Sequence, residues 1–163
     1  MKNALSLTIS MLALGLSSAA PTFAADPANS FTAAIANGDA SLALRYRAEY
    51  VDDFANEEAI ASTLKTRITY KTLQYEGASA VLEMDNNSVV GDKNYRSSGA
   101  DTASEAIVAD PTYSEINQAY LDYAAPVDTT IRYGRQRILL GNQRFVGGVG
   151  WRQNEQTYDA FTI

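Results

Sequence analysis

Leu42-Ala43-Leu44-Arg45-Tyr46-Arg47-Ala48-Glu49-Tyr50 is the stretch that decides how this chain folds. Its alternate residues Leu42, Leu44, Tyr46, Ala48 and Tyr50 form one set; Arg45, Arg47 and Glu49 fall in the other. A second run repeats the pattern, with Leu64, Ile68 and Tyr70 set against Lys65, Arg67, Thr69 and Lys71. A period of two puts successive side chains on opposite faces of a strand. Each strand then has one apolar and one charged face. In a soluble sandwich the charged face looks outward. In an outer-membrane barrel the apolar face meets lipid and the charged face meets a wet lumen.

The N-terminus separates these readings. Met1-Lys2-Asn3 is a short basic start, Ala4 to Leu16 is apolar, and Pro21-Thr22-Phe23-Ala24 supplies small residues before a cut. Residues 1–24 are expected to be a secretory signal peptide. The apolar run is shorter than the ~20 residues of a spanning helix. Residues 25–40 read as a periplasmic leader, with Ser30 capping a short helix over Phe31–Ala36 that Asn37-Gly38 stops.

The chain has no cysteine and no histidine, which excludes disulfides, a Ser-His-Asp triad and the usual zinc sites within it. Its 13 Lys and Arg stand against 19 Asp and Glu. Most of the bases lie in strand-like runs and most of the acids between them, so no exposed basic patch suggests nucleic acid. No catalytic residue, metal ligand or cofactor is expected. Glu83 and Asp85 share a face, but as counter-charges to nearby bases rather than a glycosidase pair. The acids of Asp52-Asp53 and Glu57-Glu58, and the run Asp85-Asn86-Asn87, lack the spacing of an EF-hand. Gly147-Gly148-Val149-Gly150 lacks the Lys-Ser/Thr of a phosphate loop and reads as a flexible loop folded inward at the lumen.

Six strands are expected: Ser41 to Val51, Ala61 to Thr72, Ala78 to Asn86, Tyr113 to Tyr123, Thr130 to Leu140, and one that begins near Gln156. No proline interrupts them. The connections alternate between short and long, as in outer-membrane barrels, where short turns face the periplasm and long loops face outside. Leu73–Gly77 and Ala124–Thr129 are therefore expected on the periplasmic side, and Asn87–Thr112 outside. Turn centres near Asn56 and Tyr75 set Arg45 opposite Arg67, Arg47 opposite Lys65, Arg67 opposite Glu83 and Lys65 opposite Asp85. In the later hairpin Asp122 faces Arg132, and Tyr120 covers Gly134. Arg45, Arg47, Lys65, Arg67, Lys71 and Arg132 would line the lumen and favour anions, balanced by Glu83, Asp85 and Asp122. Strict alternation puts Arg135 and Arg137 on the lipid side. Either a bulge at Gly134 switches the faces, or these arginines stand high against lipopolysaccharide phosphates.

Asn117-Gln118-Ala119-Tyr120-Leu121-Asp122-Tyr123, Gly134-Arg135-Gln136-Arg137-Ile138 and the run from Asn142 through Trp151-Arg152-Gln153-Asn154-Glu155 to Phe161 resemble the alginate-export type of outer-membrane porin. Arg45-Tyr46-Arg47 and Leu64-Lys65-Thr66-Arg67 fit that family's first hairpin. The resemblance implies an all-β, antiparallel, up-and-down transmembrane barrel in the outer membrane of a Gram-negative bacterium. Residues 41–163 would be its N-terminal part. It also implies small anionic or saccharide solutes, outer-membrane lipid and lipopolysaccharide, and the barrel-assembly machinery as partners. The rival class is a secreted soluble β-sheet domain that binds carbohydrate. Six strands are fewer than the eight of the smallest single-chain barrels, so the chain is expected to be the N-terminal portion of a longer protein or a truncated gene product.

Overall fold

The computed structural model describes residues 27–163 and the backbone of a four-residue strand, β1 (Ser6–Ile9). Apart from that strand, the expected signal peptide and its cut after Ala24 lie outside the described residues. One antiparallel sheet holds β1, β2 (Asp39–Val51), β3 (Ala59–Lys71), β4 (Ala78–Val89), β5 (Tyr113–Ala125), β6 (Thr129–Gln136) and β7 (Tyr158–Thr162), in that spatial order. Every strand pairs with its sequence neighbour, which is up-and-down topology; the sheet is open, with β1 and β7 at its edges. β1 pairs with Ala48–Val51 of β2. Among the described residues no helix is long and apolar enough to cross a membrane, which says nothing about strands.

The short helix α1 (Phe31–Ala36) forms as its sequence predicts. The Ser30 hydroxyl accepts from the Ala33 amide at 3.1 Å, satisfying one of the free donors of the first turn. Leu73 donates its backbone N–H to Ala34 at 3.0 Å, which ties the helix to the end of β3.

Turns set the register. Glu76 and Gly77 both have positive φ (49° and 83°), and Tyr75 and Ala78 exchange backbone hydrogen bonds around them. This is the two-residue hairpin whose twist matches the flanking strands. It centres the β3–β4 pairing one residue beyond Tyr75. Arg67 therefore faces Asp85, not Glu83, and Lys65 faces Asn87, not Asp85. The β2–β3 pairing is likewise moved: Arg45 faces Lys65 and Arg47 faces Thr63. Both corrections have one cause, since a one-residue error in a turn centre shifts partners by two. The faces survive, because a shift of two keeps the parity.

The expected pairings of β5 and β6 hold. Asp122 faces Arg132 and Tyr120 faces Gly134. A Cβ on Gly134 would lie 2.3 Å from the Ala119 carbonyl oxygen, and its φ is +129°. Only glycine fits there, against the Cα and Cβ of Tyr120, and the Tyr120 ring stacks 3.9 Å from the Arg132 guanidinium.

Pairing runs in register through Gly134, so no bulge lies there. The irregularity sits between Glu83 and Met84 of β4, where Asn117 is the extra residue on β5. Asn117 and Gln118 are consequently both buried. The bulge switches the faces of β5 and turns Tyr113 inward, to donate to the Gln153 carbonyl at 2.7 Å. β6 ends at Gln136, short of the expected Leu140.

The two faces differ in kind. One carries Leu42, Leu44, Ile68, Leu82, Met84, Leu121, Tyr133 and Phe161, all exposed. The other carries Arg47, Glu49, Lys65, Glu83, Asp85 and Asn87, all buried. Two long connections cover the charged face. The β4–β5 connection contributes Tyr95, Ala106 and Val108, which pack with Ala59 and Ala61 as the one apolar cluster among the described residues. The β6–β7 connection lays Arg152, Gln153 and Glu155 across the charged rows.

Candidate functional site

The covered face is a lattice of ion pairs built on adjacent strands. Arg67 of β3 holds Asp85 of β4 with two parallel hydrogen bonds of 2.7 Å. Lys65, two residues away and on the same face, reaches the same carboxylate at 3.1 Å and Glu155 at 3.3 Å. Glu155 also accepts from Arg67 at 2.8 Å and from Arg137. Arg137 bonds Glu83 as well, and Glu83 accepts from Thr69 at 3.0 Å and Asn117 at 2.7 Å. Arg137 stands just past the end of β6, so strand alternation no longer governs it and it turns inward. Arg135, still within β6, faces outward and pairs with Asp159 of β7 at 2.9 Å.

A second cluster lies nearer the long connections. Arg47 meets Glu49 at 2.6 Å and Asp110 at 3.1 Å, and Arg152 meets the same Glu49 at 2.9 Å. Asp110 belongs to the β4–β5 connection, so one carboxylate joins both covers to the sheet. Gln153 is fully buried and pins the arrangement. Its amide oxygen accepts from Arg45 at 2.9 Å, its amide nitrogen donates to the Thr63 hydroxyl at 2.9 Å, and its backbone N–H donates to Asp110 at 2.9 Å. Arg45 makes no ion pair among the described residues; it bonds the carbonyl of Gly150, at 2.9 Å, and that of Arg152.

Electrostatics explain why so much charge tolerates burial. Removing a charge from water is costly unless opposite charges and hydrogen bonds replace the water. Glu155 shows the balance: burial pushes its carboxyl upward, but hydrogen bonds from Arg137 and Arg67 and the charges of Arg67 and Lys65 outweigh it, holding it at about 2.

Of the bases singled out in the sequence, Arg45, Arg47, Lys65 and Arg67 are brought together on this face. Arg132 stands apart in its own pair with Asp122, at 2.6 Å. Lys71 lies on the same side by parity, exposed near the β3–β4 turn, and makes no ion pair among the described residues. The acids Glu83 and Asp85 join the central lattice. Sequence reasoning missed Asp110, Arg152, Gln153 and Glu155, because alternation says nothing about loops. The available signal was the concentration of polar side chains in Arg152-Gln153-Asn154-Glu155 just after a glycine-rich run.

The profile of the alginate export family matches residues 33–163. The chain belongs to the alginate export family. At family level this is an outer-membrane channel for polysaccharide export, a transport family rather than an enzymatic one. Neither curated proteins nor solved structures gave a match. The matched span of the alginate export family takes in the last four residues of α1, strands β2 to β7 and both covering connections.

Proposed function

We propose that this chain contributes the charged inner wall of a passive outer-membrane channel for anionic solutes, saccharides among them. The observation that carries the reading is the inversion of the two faces. Large apolar side chains such as Ile68 and Leu121 are more than half exposed, at 55% and 60%, while Lys65 and Asp85 are 4% and 2% exposed. In water that arrangement is unfavourable on both sides; with lipid outside and a polar lumen inside, both sides are favourable.

Selectivity in this reading comes from the bases left incompletely neutralised. Lys65, Arg67 and Arg47 are largely offset by Asp85, Glu155, Glu49 and Asp110. Arg45, with carbonyl and amide partners only, and Lys71, exposed, leave net positive charge along the path. Arg132 and Asp122 act together as a neutral pair. The short turns face the periplasm, the β4–β5 connection faces outside, and residues 1–24 direct export. Lipopolysaccharide phosphates and the barrel-assembly machinery are the partners this placement calls for.

Conductance of the protein in planar bilayers tests the reading. Anion-selective channels are expected, with selectivity lowered in Arg45→Gln and Lys71→Gln. Cation selectivity indifferent to both substitutions rejects it, as does release of the protein from cells without detergent. An epitope tag near Ser98 is expected to be reachable on intact cells; detection only after permeabilisation reverses the topology.

A further inference from the structure

The apolar face of the sheet carries a groove that the ion lattice does not touch. It lies between α1, the β3–β4 hairpin and β5, where Phe31, Ala34, Ile35, Leu73, Ala80 and Leu121 are among the residues around a hollow of about 240 Å³. Among the described residues no charged side chain lines it. The Thr72 hydroxyl in its wall accepts from the Ala80 amide at 2.9 Å. Phe31, Ala34 and Ile35 stand at i, i+3 and i+4, the spacing of one helix face.

Hydrogen bonds tie α1 to the hairpin. Besides the Leu73 bond to Ala34, the Ala28 N–H donates to the Gln74 carbonyl at 2.8 Å and the Tyr70 hydroxyl donates to the Ile35 carbonyl. Gly38 allows this close approach, since a Cβ there would lie 2.5 Å from the Lys71 carbonyl oxygen. Packing contributes little: within the helix only Ala34 is buried, while Phe31 is 65% and Ile35 45% exposed. Six residues are too few to stabilise a helix by backbone bonds alone, so its apolar face needs a partner. Here that face borders a hollow.

The position of the groove says what fills it. Leu121, in the wall, belongs to the exposed apolar face that carries Ile68, Leu82 and Met84, so the hollow is continuous with the surface that meets lipid in the channel reading. Its sheet wall centres on β4, the middle strand of seven, so strands added at the β1 or β7 edge would not cover it. Tyr70 and Tyr123, on the same face near these strand ends, stand where interfacial aromatics mark the headgroup level. The volume falls below the ~300–1,000 Å³ of a site for a whole small ligand and suits a stretch of one hydrocarbon chain. We propose that the groove docks one acyl chain of a glycerophospholipid of the periplasmic leaflet, held between Phe31 and Ile35 of α1 and Ala80 and Leu121 of the sheet. The proposal rests on the channel reading, which puts the β3–β4 turn, and with it α1, at the periplasmic rim. Burial of apolar surface drives the docking, so the chain rather than the headgroup is recognised.

Mass spectrometry of the intact protein, released from detergent after titration with palmitoyl-oleoyl-phosphatidylethanolamine or -phosphatidylglycerol, counts the lipid retained. One saturable lipid is expected, with the two headgroups bound alike. Ala80→Phe, which fills the groove, is expected to weaken retention roughly tenfold. Phe31→Ser acts in the same direction and, being on an exposed side chain, does not threaten folding. Leu44→Phe adds similar bulk to the same face away from the groove and is expected to change nothing. No saturable lipid, retention unchanged in both groove variants, equal loss in Leu44→Phe, or a strong preference for one headgroup overturns the site. A dimer that Ala80→Phe dissolves would assign the groove to a second copy of the chain and likewise overturn it. Neither groove residue belongs to the charged rows, so channel conductance is an independent readout. Normal channels without a retained lipid would leave the channel reading standing and remove this one; a retained lipid without channels would do the reverse.

Discussion

The two connections that cover the charged face are held down by different physics. The β4–β5 cover is seated by Tyr95, Ala106 and Val108 against Ala59 and Ala61, with the Tyr95 hydroxyl donating to the Asp110 carbonyl at 2.7 Å. The β6–β7 cover is seated by polar groups alone: Gln153 and Glu155 among arginines and a lysine, Arg152 on Glu49, and backbone carbonyls on Arg45. Apolar contact does not depend on pH and is little affected by salt. Ion pairs depend on both. The first cover is therefore built as a fixture, and the second as a part that solution conditions can loosen.

The strongest way to break this comparison is to empty the apolar seat. Tyr95→Ala removes a fully buried aromatic ring, a change that costs about 3–5 kcal/mol. Trypsin is expected to cut the variant at Lys93 and Arg96 while Arg152 stays protected. If both covers become cleavable together, they are one unit and the distinction fails.

The converse substitution is next in size. Glu155→Gln leaves Lys65, Arg67 and Arg137 facing one another without their shared carboxylate, and loss of one partner of a buried pair costs about 3 kcal/mol or more. Faster cleavage after Arg152 is expected, with Lys93 and Arg96 unchanged. Gln153→Ala is expected to act in the same direction, since it removes the amide that bonds Arg45 and Thr63.

Acid sharpens the comparison without mutation. Glu155 titrates at about 2 when folded and at about 4.3 when free. A depressed carboxylate stabilises fully above the free value, and the contribution fades as pH falls toward the folded one. Trp151 emission is expected to be constant down to about pH 4 and to change between there and about 2. Cleavage at Lys93 should not follow that curve. A transition centred near neutrality would implicate other groups. The smallest effect belongs to Lys93→Ala, whose pair with Asp101 is exposed; about 0.5 kcal/mol or less is expected by thermal unfolding.

What the sequence made legible follows the same division. Strand positions and facing came from alternation, which survives an error of two residues in register. The Asp122–Arg132 and Tyr120–Gly134 partners were also readable, because the turn after Ala125 is short enough to fix them. The partners of Arg45, Arg47, Lys65 and Arg67 were not, since neither Asp52–Glu58 nor Leu73–Gly77 marks its own centre. Asn117 was hidden for a related reason: a bulge changes parity without changing composition. Gln153 was least visible of all. A neutral amide in a loop carries no period, and its partners Arg45, Thr63 and Asp110 lie far from it along the chain.

The Glu76-Gly77 turn has a kinetic meaning beyond register. The entropy lost in bringing two segments together grows as about (3/2)RT ln n with the number of residues between them. Only six residues separate β3 from β4 and three separate β5 from β6, whereas 23 separate β4 from β5. The hairpin at Glu76-Gly77 should close on the microsecond scale of isolated hairpins, well before the β4–β5 pair. Assembly then starts from preformed two-strand units, β3–β4 and β5–β6. The segments between them are still free as the units join, and the charged rows are exposed to water until the covers descend.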